Sequence, residues 1–540
     1  MATQSDTIEG FGQVSRRAGI IFRYLLMGAT MFGIVTLAIL LVYVANDALQ
    51  PLTADPGWYL VFFATLVAPA TLVGAYLART NLDALKLGAL VVGTLAVTLM
   101  FSGGAAILFV DIVPPLVSLS YAVGLVVPFA AVVLMTKYED QIPFTVRVAA
   151  TGAIFFLSLF GIPGYYHSIP EMVQKIPVVP TEWVIVTFLL GGGVSVVVGL
   201  YFARLRENTR AGVVAGVAAL AATGLFAVSG LFTGVNPTAL AVVTAGAFVP
   251  TAAYAGGAAL TREHERVGLL FAAVVIFGAL VGAVAVDVLG FAGPQSWVDW
   301  QFLTSSHSGT AENAGLYPAI GGSILLMITV AALSFPLGVG AAVYLEEYAP
   351  DNVFTRFIDV NISNLAGVPS VVYGLLGLGV FVTYLGQATG TVLIGGATLA
   401  LLILPIVIIS SREAIRSVPS DMRQASYGMG ATRWQTVKNV VLPEAFPGIL
   451  TGTILALGRA IGETAPLIMI GAPNVLFSLP TELSSKVSAM PLQVYAWSSL
   501  FASEDFYTKA VPAGVVVLLA VLLAMNSVAI VLRNKFESES

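Results

Sequence analysis

The sequence predicts an all-α polytopic membrane protein, with about 14 transmembrane helices of the ~20 residues a bilayer requires. Three observations make that prediction. Hydrophobic residues form 58% of the 540-residue chain and charged residues only 10%, against roughly a quarter charged in soluble domains. Mean hydropathy is +0.92. Long apolar runs recur without the two-residue alternation of a transmembrane β-strand. There is no cysteine, which excludes a disulfide framework and thiolate sites while leaving the compartment open. The net charge of −5 offers no general basic surface for nucleic acid.

The apolar segments fall near 20–45, 58–78, 86–110, 116–136, 146–164, 183–203, 211–234, 238–260, 266–292, 317–343, 357–384, 388–410, 448–472 and 510–532. Short loops join most of them, so sequence neighbours are expected to pack antiparallel. With the N-terminus in the cytoplasm, only Lys175, Lys486 and Lys509 fall outside and Arg459 stays within the membrane. All other lysines and arginines fall inside, which fixes the orientation and puts both termini in the cytoplasm of a cell-membrane protein. The first apolar run lacks a small-x-small cleavage site and reads as a retained helix.

Residues 1–292 carry little chemistry. Their Gly/Ala-rich helices suit close packing, and Asp111 and Asp287 read as interfacial residues because no partner charge is visible nearby. His167, His264 and His307 are scattered one per loop and indicate no metal cluster. The outer loops 165–182, 293–316 and 473–509 are richer in Pro, Trp and Ser. Trp297, Trp300 and Trp497 read there as interfacial anchors.

From Tyr317 on, the polar residues are organised. Pro336 bends an apolar helix that Glu346 and Glu347 close on the cytoplasmic side. The next segment holds Asn361, Ser363, Asn364, Pro369, Ser370 and Tyr373 at membrane depth. Such groups need either interhelical hydrogen bonds or an aqueous pathway to satisfy them. In the following inner loop, Ser420 is a candidate N-cap for a short helix, and Gly428 and Gly430 end it. Thr432 and Gln435 have the spacing of a capping box. The helix they start has Trp434, Val437 and Val441 on one face and is expected to stop before Pro443. A short stiff element pinned to membrane helices at both ends suits docking of a cytoplasmic partner better than reading DNA.

These residues carry a resemblance. Gln424-Ala425-Ser426, then three residues, Gly430, nine residues, Val440 and Leu442-Pro443 resemble the EAA loop of ABC-importer permeases. Gln replaces the pattern's Glu and Ser its second Ala. AVYLEEYAP (342–350), NLAGVPSVVYG (364–374) and GRAIGETAPL (458–467) further resemble the permeases of the phosphate-specific importer, in their A-type subunit more than the C-type. The resemblance implies a six-helix type I core over 293–540, with its coupling loop at 412–447 seated on an ATPase. It also implies a second related permease subunit and an extracytoplasmic phosphate-binding protein docking at 293–316 and 473–509. The tail and first helix at 1–50 would complete the core, and 51–292 would be extra membrane helices. The alternative first core helix is 266–292, which runs in the same direction. A phosphate loop of the form G-x-x-x-x-G-K-[ST] needs a glycine before its lysine, and no lysine here follows one. The chain is therefore read as a transport subunit, not an enzyme. ATP and magnesium belong to a partner ATP-binding cassette dimer, membrane lipids surround the chain, and it holds no cofactor or metal of its own.

Arg459 and Glu463 are four residues apart, as on one face of a helix. They read either as a self-neutralising pair or, with the resemblance, as an anion site. In the second reading Arg459 supplies guanidinium donors to phosphate and Glu463 weakens the site enough to release it. Thr464 adds a hydroxyl, and Asn364, Ser370 and Tyr373 are candidate pathway-lining residues. The corresponding function is a permease subunit of an ATP-driven phosphate importer. The alternatives are the same machine for phosphonate, sulfate or molybdate, and a gradient-driven secondary transporter. The last would need coupling charges that the first helices lack.

Overall fold

A computed structural model describes residues 16–137, 143–162, 165–176, 182–501 and 503–537. Part of the expected cytoplasmic tail and of the outer loop 165–182 lies outside them. Among the described residues, twelve helices are long and apolar enough to cross a membrane. In chain order the principal helices begin with α1 Arg16–Leu49, α2 Pro56–Thr80 and α3 Leu82–Ile112. Next come α4 Pro115–Lys137, α5 Phe144–Phe160, α6 Glu182–Leu205, α7 Thr209–Thr233, α8 Pro237–Thr261 and α9 Arg266–Leu289. The second half contains α10 Tyr317–Tyr348, α11 Val353–Ala366, α12 Ser370–Tyr384, α13 Val392–Arg416 and α14 Ser420–Gly428. It ends with α15 Arg433–Ala460, α16 Ala465–Met469, α17 Met490–Ser499 and α18 Phe506–Val528.

Every expected apolar segment is helical, but three are not single full-length spans. The segment at 146–164 is the shorter helix α5. The segment at 357–384 is α11 and α12, bent by 106°. Pro369 sits at the bend as N-cap of α12, where its missing N–H removes no helical bond. The segment at 448–472 is also misjudged. Its helix starts far earlier, at Arg433, and stops at Ala460. The expected stop before Pro443 is absent because the Leu442 N–H reaches back to the Val437 carbonyl. That widened turn lets Pro443 ride in the helix without its N–H.

Helix α13 is the axis of the second half. Thr391 caps it by accepting the Ile394 N–H at 3.4 Å, and 67% of its apolar window is buried, against none of that of α1. It packs parallel to α10 and antiparallel to α15. Glycines set the register. A Cβ at Gly396 would lie 2.5 Å from Thr329 and one at Gly338 2.6 Å from Val407. On the other side, a Cβ at Gly448 would lie 2.8 Å from Ala414 and one at Gly452 2.5 Å from Ser410. Leu326, Val330, Leu399, Ile403, Val407 and Ala456 fill the core between these helices.

The extra region packs mainly on itself. α9 lies against α2 and α3, α7 against α6, and α5 against α4. Helix α3 joins this block to the second half: Ile107, Leu108 and Ile112 enter the core of α10 and α13. Asp111 accepts the Tyr317 hydroxyl, so it has a partner on the far side of that joint. α1 instead packs along α18, and its Ala48 carbonyl accepts the Trp297 N–H at 2.8 Å.

The loops 293–316 and 473–509, expected on the outer side, fold over the second half. Trp497 is not an interfacial anchor, being 0% exposed, and its Nε1 donates to His307 Nδ1 at 3.0 Å. Trp300 is 79% exposed, as an anchor would be, and the Lys509 ammonium lies over the Trp297 ring. Phe477, Phe501 and Phe506 surround the His307 ring. An indole can only donate, so Nδ1 accepts and the imidazole is neutral.

Two predictions follow from this packing. Burial lowers the His307 pKa, so the unfolded chain binds the proton more readily. The stabilisation is therefore complete above the unfolded value of about 6.5 and lost as pH falls through the lower folded value. Thermal unfolding of the purified protein should show a fall in Tm below about pH 6.5. That fall should shrink in His307→Gln, which keeps the acceptor for Trp497, and an identical fall in both proteins would refute the assignment. A Cβ at Gly322 would lie 2.1 Å from the Ser488 carbonyl oxygen. Gly322→Ala is expected to cost about 1–3 kcal/mol through overpacking, and an unchanged Tm would contradict it.

Candidate functional site: a transport pathway and its coupling loop

The antiparallel register of α15 on α13 fixes the depth of Arg459. Extended from Gly452 opposite Ser410, it brings Arg459 level with Ile403, midway along α13. There α15 ends in tight turns: the Gly462 N–H bonds the Arg459 carbonyl and the Glu463 N–H that of Ala460, each at 3.2 Å. Arg459 occupies the last turn of the helix, where the macrodipole favours a cation. Glu463 lies beyond the helix end. The expectation of one helical face is thus corrected, although the two side chains still meet, with Nε and Oε1 3.5 Å apart. Arg459 is 47% exposed and Glu463 17%, so the pair is open on the arginine side.

Thr464 follows and starts α16, its carbonyl accepting the Ile468 N–H at 3.1 Å. Helix α16 packs on α12, where a Cβ at Gly374 would lie 2.7 Å from Met469 and 2.8 Å from Pro466. Beside Gly374, Tyr373 is buried. Its hydroxyl donates to the Leu365 carbonyl at 2.8 Å and so closes the α11–α12 bend. The structure therefore gathers Arg459, Glu463, Thr464 and Tyr373 around two broken helices. Ser370 is half-buried one turn before Tyr373, and Asn364 is exposed at the end of α11. Among the described residues, neither has a polar contact with the Arg459–Glu463 pair.

At the other end of α15 lies the loop expected to couple. Pro419, not Ser420, is the N-cap of α14. The Thr432–Gln435 capping box is present, with the Thr432 N–H 2.8 Å from Gln435 Oε1 and the Gln435 N–H 3.3 Å from Thr432 Oγ1. Gly430 turns the chain at φ 84°, a conformation costly for any other residue. Ser426 and Thr436 join the two arms through hydroxyls 2.8 Å apart. Val437 and Val441 are buried, whereas Trp434 is half exposed and does not share their environment. Val440 is half-buried, and Gln424, Ala425, Gly430 and Pro443 are exposed. Met429 is 90% exposed and stands at the tip with Tyr427 and Trp434, a firm, partly apolar surface suited to a protein partner.

A set of residues absent from the sequence-based site holds this loop in place. Within the widened last turn of α10, where the Ala349 N–H bonds the Tyr344 carbonyl, Glu346 pairs with Arg416 at 3.0 Å and Arg412 at 3.4 Å. Arg412 also reaches Asp359 of α11 at 2.6 Å. Glu347, only 7% exposed at its side chain, pairs with Arg423 of α14 at 3.1 Å. Arg423 further donates to the Ile415 carbonyl at 2.7 Å, and Arg433 lies over the Tyr348 ring. Removing one member of a buried pair leaves an uncompensated charge and costs about 3–5 kcal/mol. The signal was legible as adjacent acids closing α10 and arginines at 412, 416 and 423 on the same membrane side.

Residues 334–538 match the family of binding-protein-dependent transport system inner membrane components. A probable ABC transporter permease of Bacillus subtilis, YqgI, is 37% identical over 41% of this chain and 74% of its own length. The phosphate transport system permease PstA of Yersinia pestis is 33% identical over 41% of this chain and 73% of its own. PstC of Mesorhizobium japonicum is 32% identical over 40% and 76% respectively. With a second half built on α13, an Arg–Glu pair at a helix break and a capped loop at the other end of α15, this chain belongs to the ABC-importer permeases, the inner membrane components of binding-protein-dependent transport systems.

Proposed function

We propose that this chain is an A-type permease subunit of an ATP-driven phosphate importer in the cell membrane, with both termini cytoplasmic. One observation carries the reading. A single helix of 28 residues, Arg433–Ala460, about 42 Å long at 1.5 Å per residue, has the exposed coupling surface at one end and Arg459 at the other. The two ends belong to one continuous run of helix, so a push on Trp434 and its neighbours is passed along it to the anion site.

In this reading Arg459 presents its guanidinium fork to phosphate from the exposed side of the pair. Glu463 neutralises part of the charge, because a site that binds too strongly traps its ion. Thr464 adds a hydroxyl donor, Tyr373 holds the α11–α12 bend beside the site, and Asn364 and Ser370 line the path to it. Gln424, Ala425, Ser426, Gly430 and Trp434 meet an ATP-binding cassette dimer, which carries ATP and magnesium, while Val440 and Pro443 bed the loop onto the membrane helix. A second permease subunit completes the pathway. The outer loops 293–316 and 473–509 receive a phosphate-binding protein. Helix α1 serves as the first core helix, since it packs on α18 whereas α9 packs within the extra region. That region, 51–292, is an addition joined through α3.

Arg459→Ala is expected to leave the complex assembled and to reduce phosphate uptake by cells or proteoliposomes at least a hundredfold. Arg459→Lys should retain a small fraction, since an ammonium keeps the charge but not the planar fork. Normal uptake by Arg459→Ala would sink the proposed role. Competition by sulfate, molybdate or phosphonate at equal concentration would reassign the substrate while keeping the machine.

A further inference from the structure

The coupling loop does not act alone on α15. We propose that Glu347 and Glu346 are positioning residues that fasten the loop to the inner halves of α10, α11 and α13, so that all four helices move as one block about a hinge level with Arg459. The inference rests on reading 420–442 as the ATPase-docking loop, and three independent observations carry it.

The first is the clasp itself. Glu347 ties α14 to α10 through Arg423, and Glu346 ties the end of α13 to α10 through Arg412 and Arg416. Arg412 then ties α11 through Asp359. Helices α10, α11, α13 and α14 are thereby joined through the Glu346–Glu347 dipeptide. Gln424, where a carboxylate would suit an ion pair, is exposed and neutral. The pair is made one position earlier, by Arg423.

The second is that the inner half is packed tightly enough to move as a body. Gly338 meets Val407, Gly448 meets Ala414 and Gly452 meets Ser410 with no room for a Cβ. Ala342, Ile415, Val418, Val441 and Ile449 form a separate buried cluster at this end.

The third is where the helices can bend. Pro336 interrupts α10 and Pro405 interrupts α13. The register that puts Gly338 on Val407 puts Pro336 level with Pro405, and Arg459 is level with neighbouring Ile403. A proline frees the carbonyl four residues before it and is a standard site of helix bending. Two parallel helices therefore have their weak points at one depth, where α15 itself ends. A further consequence concerns α11: pulled through Asp359, it carries the Leu365 carbonyl that holds the Tyr373 hydroxyl. The stroke thus reaches the site along α15 and along α11 together.

The experiment is a charge exchange in the full complex, measuring substrate uptake, ATP hydrolysis and retention of the ATPase on affinity-purified permease. Glu347→Arg and Arg423→Glu each place like charges face to face. Each is expected to lower transport per ATP hydrolysed at least tenfold, and the double variant Glu347→Arg/Arg423→Glu should recover most of it. If the single variants lose the ATPase altogether, recovery of binding and transport by the double variant supports the clasp. Single variants that transport normally would overturn it, as would a double variant no better than either single. Should the wild-type complex carry another oxyanion, the ratio is read with that ion. The clasp and the phosphate assignment therefore fail separately.

Discussion

A guanidinium halfway through an apolar bundle governs the arrangement around it. On insertion scales a central arginine costs about 2.5–3.5 kcal/mol, and the backbone that breaks beside it adds polar groups that hydrocarbon cannot satisfy. The fold meets both demands at one place. Glu463 follows the helix end closely enough to reach Arg459, the dipole of α15 ends there, and the tight turns after Arg459 satisfy the first freed carbonyls. The second helix break, between α11 and α12, is closed by Tyr373 in the same neighbourhood. The irregular backbone of the two broken helices is thus concentrated in one place.

The far end of these helices solves a different problem with charge. Arginines there would otherwise be separate surface groups of little energetic weight. Here Arg412 and Arg423 are largely buried against Glu346, Asp359 and Glu347. The widened turn before Pro443 has a comparable effect, since it keeps the capped loop and Arg459 on one continuous helix.

The extra helices remain a block apart. Their contact with the permease half runs through α3, whose Ile107 and Ile112 enter that half's core and whose Asp111 takes the Tyr317 hydroxyl. The capped loop lies at the far end of α10 from Tyr317, so the block meets that helix at the end away from the loop.

Much was legible from residue order alone. Apolar length gave the helices, the positions of Lys and Arg gave the sidedness, and the spacing of Thr432 and Gln435 gave a cap that forms as expected. Arg459 and Glu463 stood out because charge in an apolar run is expensive. Local rules failed where tertiary context supplied a remedy. A π-turn carried α15 through Pro443, and the rings around His307 drew Trp497 inward from the membrane interface. The helix break after Arg459 could not be read from an apolar sequence that continues past it. Nor could the pairing of Glu347 with Arg423, or the common level of Pro336, Pro405 and Arg459. Composition and spacing are properties of one segment at a time, whereas register between α10, α13 and α15 is set by glycines that meet only when the helices pack. The chemistry was therefore written in the sequence, and its alignment was decided by the fold.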